Sequence, residues 1–246
     1  MKFTKGDAVV ALEKLWFLQK RHAVRYASLQ PPKPTNPSHD LEELAVKPIM
    51  NFLDRQTLQD SDRFSFYRTI PEGSTRFDFI RSLLWADAHN YSSPDDFISR
   101  HVYFFSQPPS LILSSNPYGP VLYQLPPEVN NIVPTSTLLA KFQAIHDLPE
   151  QDWNKTELKA RITSIVNQGT AETLEELKKV NNALDDTKLE FTANKSWGSL
   201  VHGYIRWAIM AGKPGPSGAE TMAILGRTES LRRMKVAEDI LRTRSE

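Results

Sequence analysis

Six histidines stand at positions 22, 39, 89, 101, 146 and 202, and none pairs with another as H-x-x-x-H or H-E-x-x-H. A zinc site could still assemble in space from such residues, but the sequence gives no support for one. Cysteine is absent, which excludes disulfides, thiol nucleophiles and thiolate ligands and suits a reducing compartment. Serines, histidines and acids occur without a nucleophile elbow. The adjacent carboxylates Glu175-Glu176 and Asp185-Asp186 do not face each other at helical spacing and read as solvated surface. Neither G-x-G-x-x-G nor G-x-x-x-x-G-K-[ST] is present, and 10 glycines among 246 residues leave little material for phosphate cradles. No residue is expected to be catalytic.

The chemistry that remains is cationic. Tyr204-Ile205-Arg206-Trp207-Ala208-Ile209-Met210-Ala211 is an apolar helix end carrying one arginine. It runs into Gly212-Lys213-Pro214-Gly215-Pro216-Ser217-Gly218 and then Glu220 to Arg227. Two prolines stiffen this loop, and three glycines let backbone approach a flat ligand, with Arg206, Lys213 and Arg227 around it. The same loop also reads as a helix–helix connection with ordinary punctuation.

Net charge is +1, from 30 Lys and Arg against 29 Asp and Glu, but it is unevenly spread. Residues 1–34 carry seven basic and two acidic side chains, residues 195–246 carry nine and five, and the stretch between is acidic. Basic ends around an acidic middle point to a polyanionic partner touched by both ends. Hydrophobic residues at 40% and charged residues at 24% are ordinary globular usage. No apolar run approaches the ~20 residues a bilayer needs, and the first residues resemble neither a signal nor a transit peptide. A soluble chain with no membrane partner is expected.

The elements that must position these residues are helical. Asp7 to Leu29 puts Val9, Leu12, Leu15 and Trp16 on one stripe with Lys20, Arg21 and Arg25 nearby, and Pro31 to Pro34 end it. Asp40 with Glu43 reads as a capping box for a helix that Pro48 breaks or kinks. Helices are predicted over Arg76–Ala88 and from Ser93, with Pro94 first and Asp95 and Asp96 in the first turn. Seven prolines in residues 108–134 read as a crossover with little regular structure. Further helices are predicted over Ser136–His146, Asn154–Gln168 with Gly169 as stop, Glu172–Leu184, Ser196–Ala211, Ala219–Leu225 and Thr228–Arg244. Gly212 and Gly226 fall at helix ends. The fold class is all-α.

The stretch Ile205-Arg206-Trp207-Ala208-Ile209, Gly212-Lys213-Pro214-Gly215-Pro216, Ala223-Ile224-Leu225-Gly226-Arg227 and Leu231-Arg232-Arg233 resembles the carboxyl end of bacterial and organellar glutamyl-tRNA synthetases. Leu12 to Lys20 is similar to the segment after that family's second catalytic signature, and the proline-rich insertions look most like fungal mitochondrial members. The resemblance implies an irregular multi-helix bundle: a stem-contact region at 1–72, a first anticodon-binding subdomain with the proline-rich insertion at 73–134, and a second at 135–246. The family's two ATP-binding signatures do not occur. The expectation is a carboxyl-terminal piece that binds RNA, holds no cofactor and is inactive alone. The parent would be a mitochondrial-matrix ligase using ATP and Mg²⁺, with its catalytic domain in cis.

The resemblance further implies tRNA for glutamate as partner. Arg206, Lys213, Gly215, Pro216 and Arg227 would meet the first anticodon bases, and Lys20, Arg21 and Arg25 would meet backbone phosphates. Gly218 stands where the family carries a bulkier residue, which weakens one contact. Asn90 and Tyr91 fall where discriminating members place an arginine for the third base. Its absence from His89 to Ser92 extends the expected partners to tRNA for glutamine, unless Arg76, Arg81 or Arg100 substitutes. The rival class is a helical scaffold binding a protein through Trp16, Trp85, Trp207 and the Tyr103–Phe105 cluster.

Overall fold

The computed structural model describes residues 42–60, 62–70, 72–87, 90–106, 135–180 and 185–245. Among them there are ten α-helices and no strand, so the fold is an all-α multi-helix bundle. The expected helix Asp7–Leu29, with Lys20, Arg21, Arg25 and Trp16, lies outside the described residues, as does the proline-rich 108–134 stretch. The chain separates into two compact units, residues 1–107 and 108–246. That boundary falls inside the expected 73–134 subdomain, and the expected boundary at residue 72 falls inside the first unit.

In the first unit a π-helical turn, Glu42–Val46, runs directly into α1, Lys47–Gln59. Pro48 sits in the first turn of α1, where the π-helical turn gives way to the α-helix, so it neither ends nor interrupts the helical run. Short α2 (Ser65–Thr69) leads to α3 (Ser74–Asp87). Next comes α4 (Pro94–Arg100), where Ser93 Oγ accepts the Asp96 N–H at 3.2 Å, as the cap chemistry requires. It is followed by α5, Val102–Phe105. Helix α1 packs on α3 and α4 through Ile49, Leu53, Ile80, Leu84 and Phe97, all inaccessible to water. Phe79 meets Phe104 and Phe105 edge-on, with ring centroids 6.2 and 6.3 Å apart.

The second unit is built on a hairpin of two long helices. It comprises α6 (Thr135–His146), a 3₁₀ turn (Glu150–Asp152), α7 (Lys155–Val180), α8 (Asp186–Met210), α9 (Gly218–Leu225) and α10 (Arg227–Ser245). Lys178 pairs with Asp186 at 3.1 Å near the turn, and Thr173 meets Trp197 further along, so α7 and α8 run antiparallel. Two expectations are corrected here. Gly169 stops nothing: α7 continues through it for a full 26 residues. The glycine is needed because Trp197 packs so close that a Cβ would lie 2.2 Å from its ring. Likewise α8 begins ten residues before Ser196, where the Asp185 carboxylate accepts the Thr187 N–H at 3.0 Å.

Candidate nucleic-acid interface

The loop after α8 is fixed from both sides. Ala211 turns left-handed at φ 51° and Gly212 follows at φ 78°, a conformation glycine adopts without strain. The Gly212 N–H donates to the Arg206 carbonyl at 3.1 Å and the Lys213 N–H to that of Met210 at 3.0 Å. Pro216 is buried, and Ser217 caps α9 by accepting the Glu220 N–H at 3.3 Å. Gly218 packs on Ile205, whose Cγ2 would stand 2.6 Å from an added Cβ. A bulkier residue at 218 is therefore barred by the fold itself.

At the rim of this loop two cations face solvent. Arg206 is exposed, although Ile205 and Trp207 on either side are buried, and its Nη1 donates to the Lys213 carbonyl at 3.2 Å. That bond holds the guanidinium against the loop and uses one of its five donors. Lys213 is exposed as well. Neither has an acidic partner among the described residues. The nearby acid Glu220 is taken by Lys155 at 2.6 Å. One turn before Arg206, His202 is held below the usual histidine range by partial burial and then by the Arg206 charge.

Arg227, Arg232 and Arg233 are occupied. Arg227 donates from Nε to the Leu148 carbonyl at 2.8 Å and from Nη2 to that of His146 at 2.9 Å. It clamps the end of α6, which reassigns it from the loop rim to the frame. Arg233, only 1% exposed, donates to the Ile209 carbonyl at 2.8 Å and to Glu229 at 2.6 Å. Arg232 takes both oxygens of the same carboxylate, at 2.7 and 2.8 Å. Burial pushes the Glu229 carboxyl up, but the two guanidiniums outweigh it and hold it below the usual range. Of the expected loop contacts, Lys213 is open, Gly215 is half-buried, and Pro216 is corrected to a packing residue by its burial.

In the first unit Tyr91 is also corrected. It has no exposed surface, so it cannot stack on a base, and burial pushes its hydroxyl up to about 12. The Asn90 amide donates to Asp87 Oδ1 at 2.7 Å. The other Asp87 oxygen meets His101 Nε2 at 2.8 Å, while His101 Nδ1 faces the Phe97 carbonyl at 2.8 Å. This polar network braces α3 against α4. Arg76 lies over the Tyr67 ring and donates to the Ile70 carbonyl, and Arg81 stacks on Trp85, whereas Arg100 is exposed. The aromatic anchors of the scaffold reading are core residues: Trp207 is 5% exposed, and Tyr103, Phe104 and Phe105 at most 2%. Trp85 is half-open at 42%, under the Arg81 guanidinium.

One group was missed in the sequence. Lys188, Phe191 and Lys195 lie on the same exposed side of α8 as His202 and Arg206. The three- and four-residue spacing of 188, 191, 195, 198, 202 and 206 carries this signal. Starting the helix at Ser196 hid it. Among the described residues no cluster of three or more His, Asp or Glu could hold a metal, and no helix is long and apolar enough to cross a membrane. Compared with protein-family models, curated proteins and solved structures, the chain finds no match.

Proposed function

We propose that this chain is an RNA-binding module that recognises a tRNA anticodon loop, with tRNA for glutamate as its ligand and tRNA for glutamine a second. The observation that carries the reading is the pair of exposed, acid-free cations, Arg206 and Lys213, on a loop held rigid by its own hydrogen bonds and by buried Pro216. A guanidinium held over the loop by that hydrogen bond can stack on an unpaired base or bond its edge. Lys213 adds phosphate attraction, which gives affinity and register without sequence information. The choice of glutamate tRNA rests on the resemblance of the 205–233 stretch to glutamyl-tRNA synthetases. In that reading the ATP- and Mg²⁺-dependent step belongs to a catalytic region in cis, in the mitochondrial matrix.

The test is an equilibrium titration of tRNA for glutamate and of an anticodon-swapped version, with wild type and Arg206→Ala. The substitution is expected to weaken cognate binding by ~1–3 kcal/mol, roughly 5- to 150-fold, and to leave the swapped tRNA nearly unchanged. Lost thermal stability with an unchanged anticodon preference would make Arg206 a structural residue and overturn the reading.

A further inference from the structure

We propose that the solvent face of α8, from Lys188 to Arg206, is a track for single-stranded RNA, on which the basic side chains hold phosphates and Phe191 stacks a base. This rests on the RNA-binding reading above, shares Arg206 with it, and extends it to Lys188, Phe191, Lys195 and His202, which that reading does not use. At 3.6 residues per turn Lys188, Phe191, Lys195, Gly198, His202 and Arg206 fall within about 80° of arc, over a length of ~27 Å. The opposite side of the helix, with Ala193, Trp197, Leu200 and Tyr204, is buried at 0–1% exposure and fixes the track to the hairpin. The helix carries two acids, and both lie off the track. Asp186 is in its first turn with Lys178, and Glu190 lies about 80° outside the nearer edge of the track.

Three further observations favour an external ligand. Lys188 and Lys195 are exposed and have no acidic partner among the described residues. In the same unit Lys141, Lys155, Lys178 and Lys235 each reach a carboxylate within 3.1 Å, while Lys159 and Lys213, like the two track lysines, have none among the described residues. Phe191 is 68% exposed between those two lysines, an aromatic face without a packing role. Gly198 costs the helix stability, yet an added Cβ would meet nothing within 4 Å. The fold does not need a glycine there, and a chain lying against the helix does. A basic groove with an aromatic platform is how unpaired nucleic acid is held without sequence preference. An anionic membrane surface wants a broad apolar face, and here a single exposed aromatic interrupts the cations.

The experiment uses the full chain with oligouridine, with tRNA for glutamate, and with phosphatidylserine vesicles. Lys188→Gln with Lys195→Gln is expected to weaken oligouridine binding by roughly tenfold and to flatten the log–log salt slope by about 1.4. Phe191→Ala is expected to weaken it by roughly 5- to 150-fold with little change in slope. All three side chains are exposed, so circular dichroism and melting temperature should hold. If tRNA binds but these variants equal wild type on both RNAs, the track is wrong and the anticodon reading stands. If folded wild type binds neither RNA, both fall. If the lysine variants lose vesicle binding and keep RNA binding, the face is a membrane surface and the track is wrong.

Discussion

Replacing Gly169 with alanine should destabilise this protein, against the rule for exposed helix interiors. In isolation the change favours the helix by up to ~1 kcal/mol. Here the new methyl would sit 2.2 to 2.4 Å from three carbons of the Trp197 ring. Trp197 is 1% exposed and donates from its indole N–H to Thr173 Oγ1 at 2.7 Å, so it cannot move without breaking that bond. Overpacking a filled core costs ~1–3 kcal/mol. Losing the hydrogen bond adds about 1 kcal/mol. After subtracting the helix gain, the net is a loss of roughly 1–3 kcal/mol. For a chain of this size that is a drop in melting temperature of roughly 2–12 °C. The control is Gly198→Ala in the neighbouring helix, where the added Cβ meets nothing; it should stabilise by ~0.5–1 kcal/mol. Calorimetry of both variants decides the matter. A Gly169→Ala protein as stable as the Gly198→Ala protein would refute the close packing of α7 against Trp197.

Other outcomes follow from the same geometry. Arg227→Ala should lower stability by ~1–3 kcal/mol, because the carbonyls of His146 and Leu148 lose a charged donor. Its anticodon preference in a tRNA titration should stay that of wild type. Glu229→Gln should cost ~3–5 kcal/mol in urea unfolding, since it removes the carboxylate that pairs with the buried Arg233 at 2.6 Å. The Glu229 carboxyl is depressed in the fold, so its contribution is present above the ordinary carboxylate range and is lost as pH falls through and below it. Glu229→Gln should therefore flatten the acid limb of the stability curve. His202 is also depressed, by burial and by Arg206, so the unfolded chain binds more protons and stability declines as pH drops through the usual histidine range. RNA binding should change the opposite way, strengthening over that range because phosphates favour the imidazolium, and His202→Gln should remove both slopes.

Local chemistry made part of this molecule legible. Ser93-Pro94-Asp95-Asp96 announces a helix start through cap, fixed φ and dipole, and α4 begins there. Gly212 and Gly226 announce helix ends, and both adopt φ 78°. What failed depended on partners distant in sequence. Whether Gly169 ends a helix or admits a ring is decided by Trp197, which periodicity cannot locate. Whether an arginine is free or structural is likewise a tertiary fact. Arg206 and Arg227 look alike in sequence, yet one faces solvent and the other clamps two carbonyls. The basic face of α8 shows only when the helix runs from Asp186, ten residues before Ser196.

Exposed cations of this chain are proposed to bind the anticodon loop of a tRNA. The most direct measurement is the affinity for tRNA for glutamate, and for its anticodon-swapped version, across roughly 50 to 200 mM salt. The predicted result is a linear fall of log affinity with log salt for both RNAs. The cognate tRNA should keep its advantage throughout, because base contacts do not release counterions. An affinity that ignores salt or strengthens with it, as apolar docking would, or equal affinity for the two tRNAs, would contradict it.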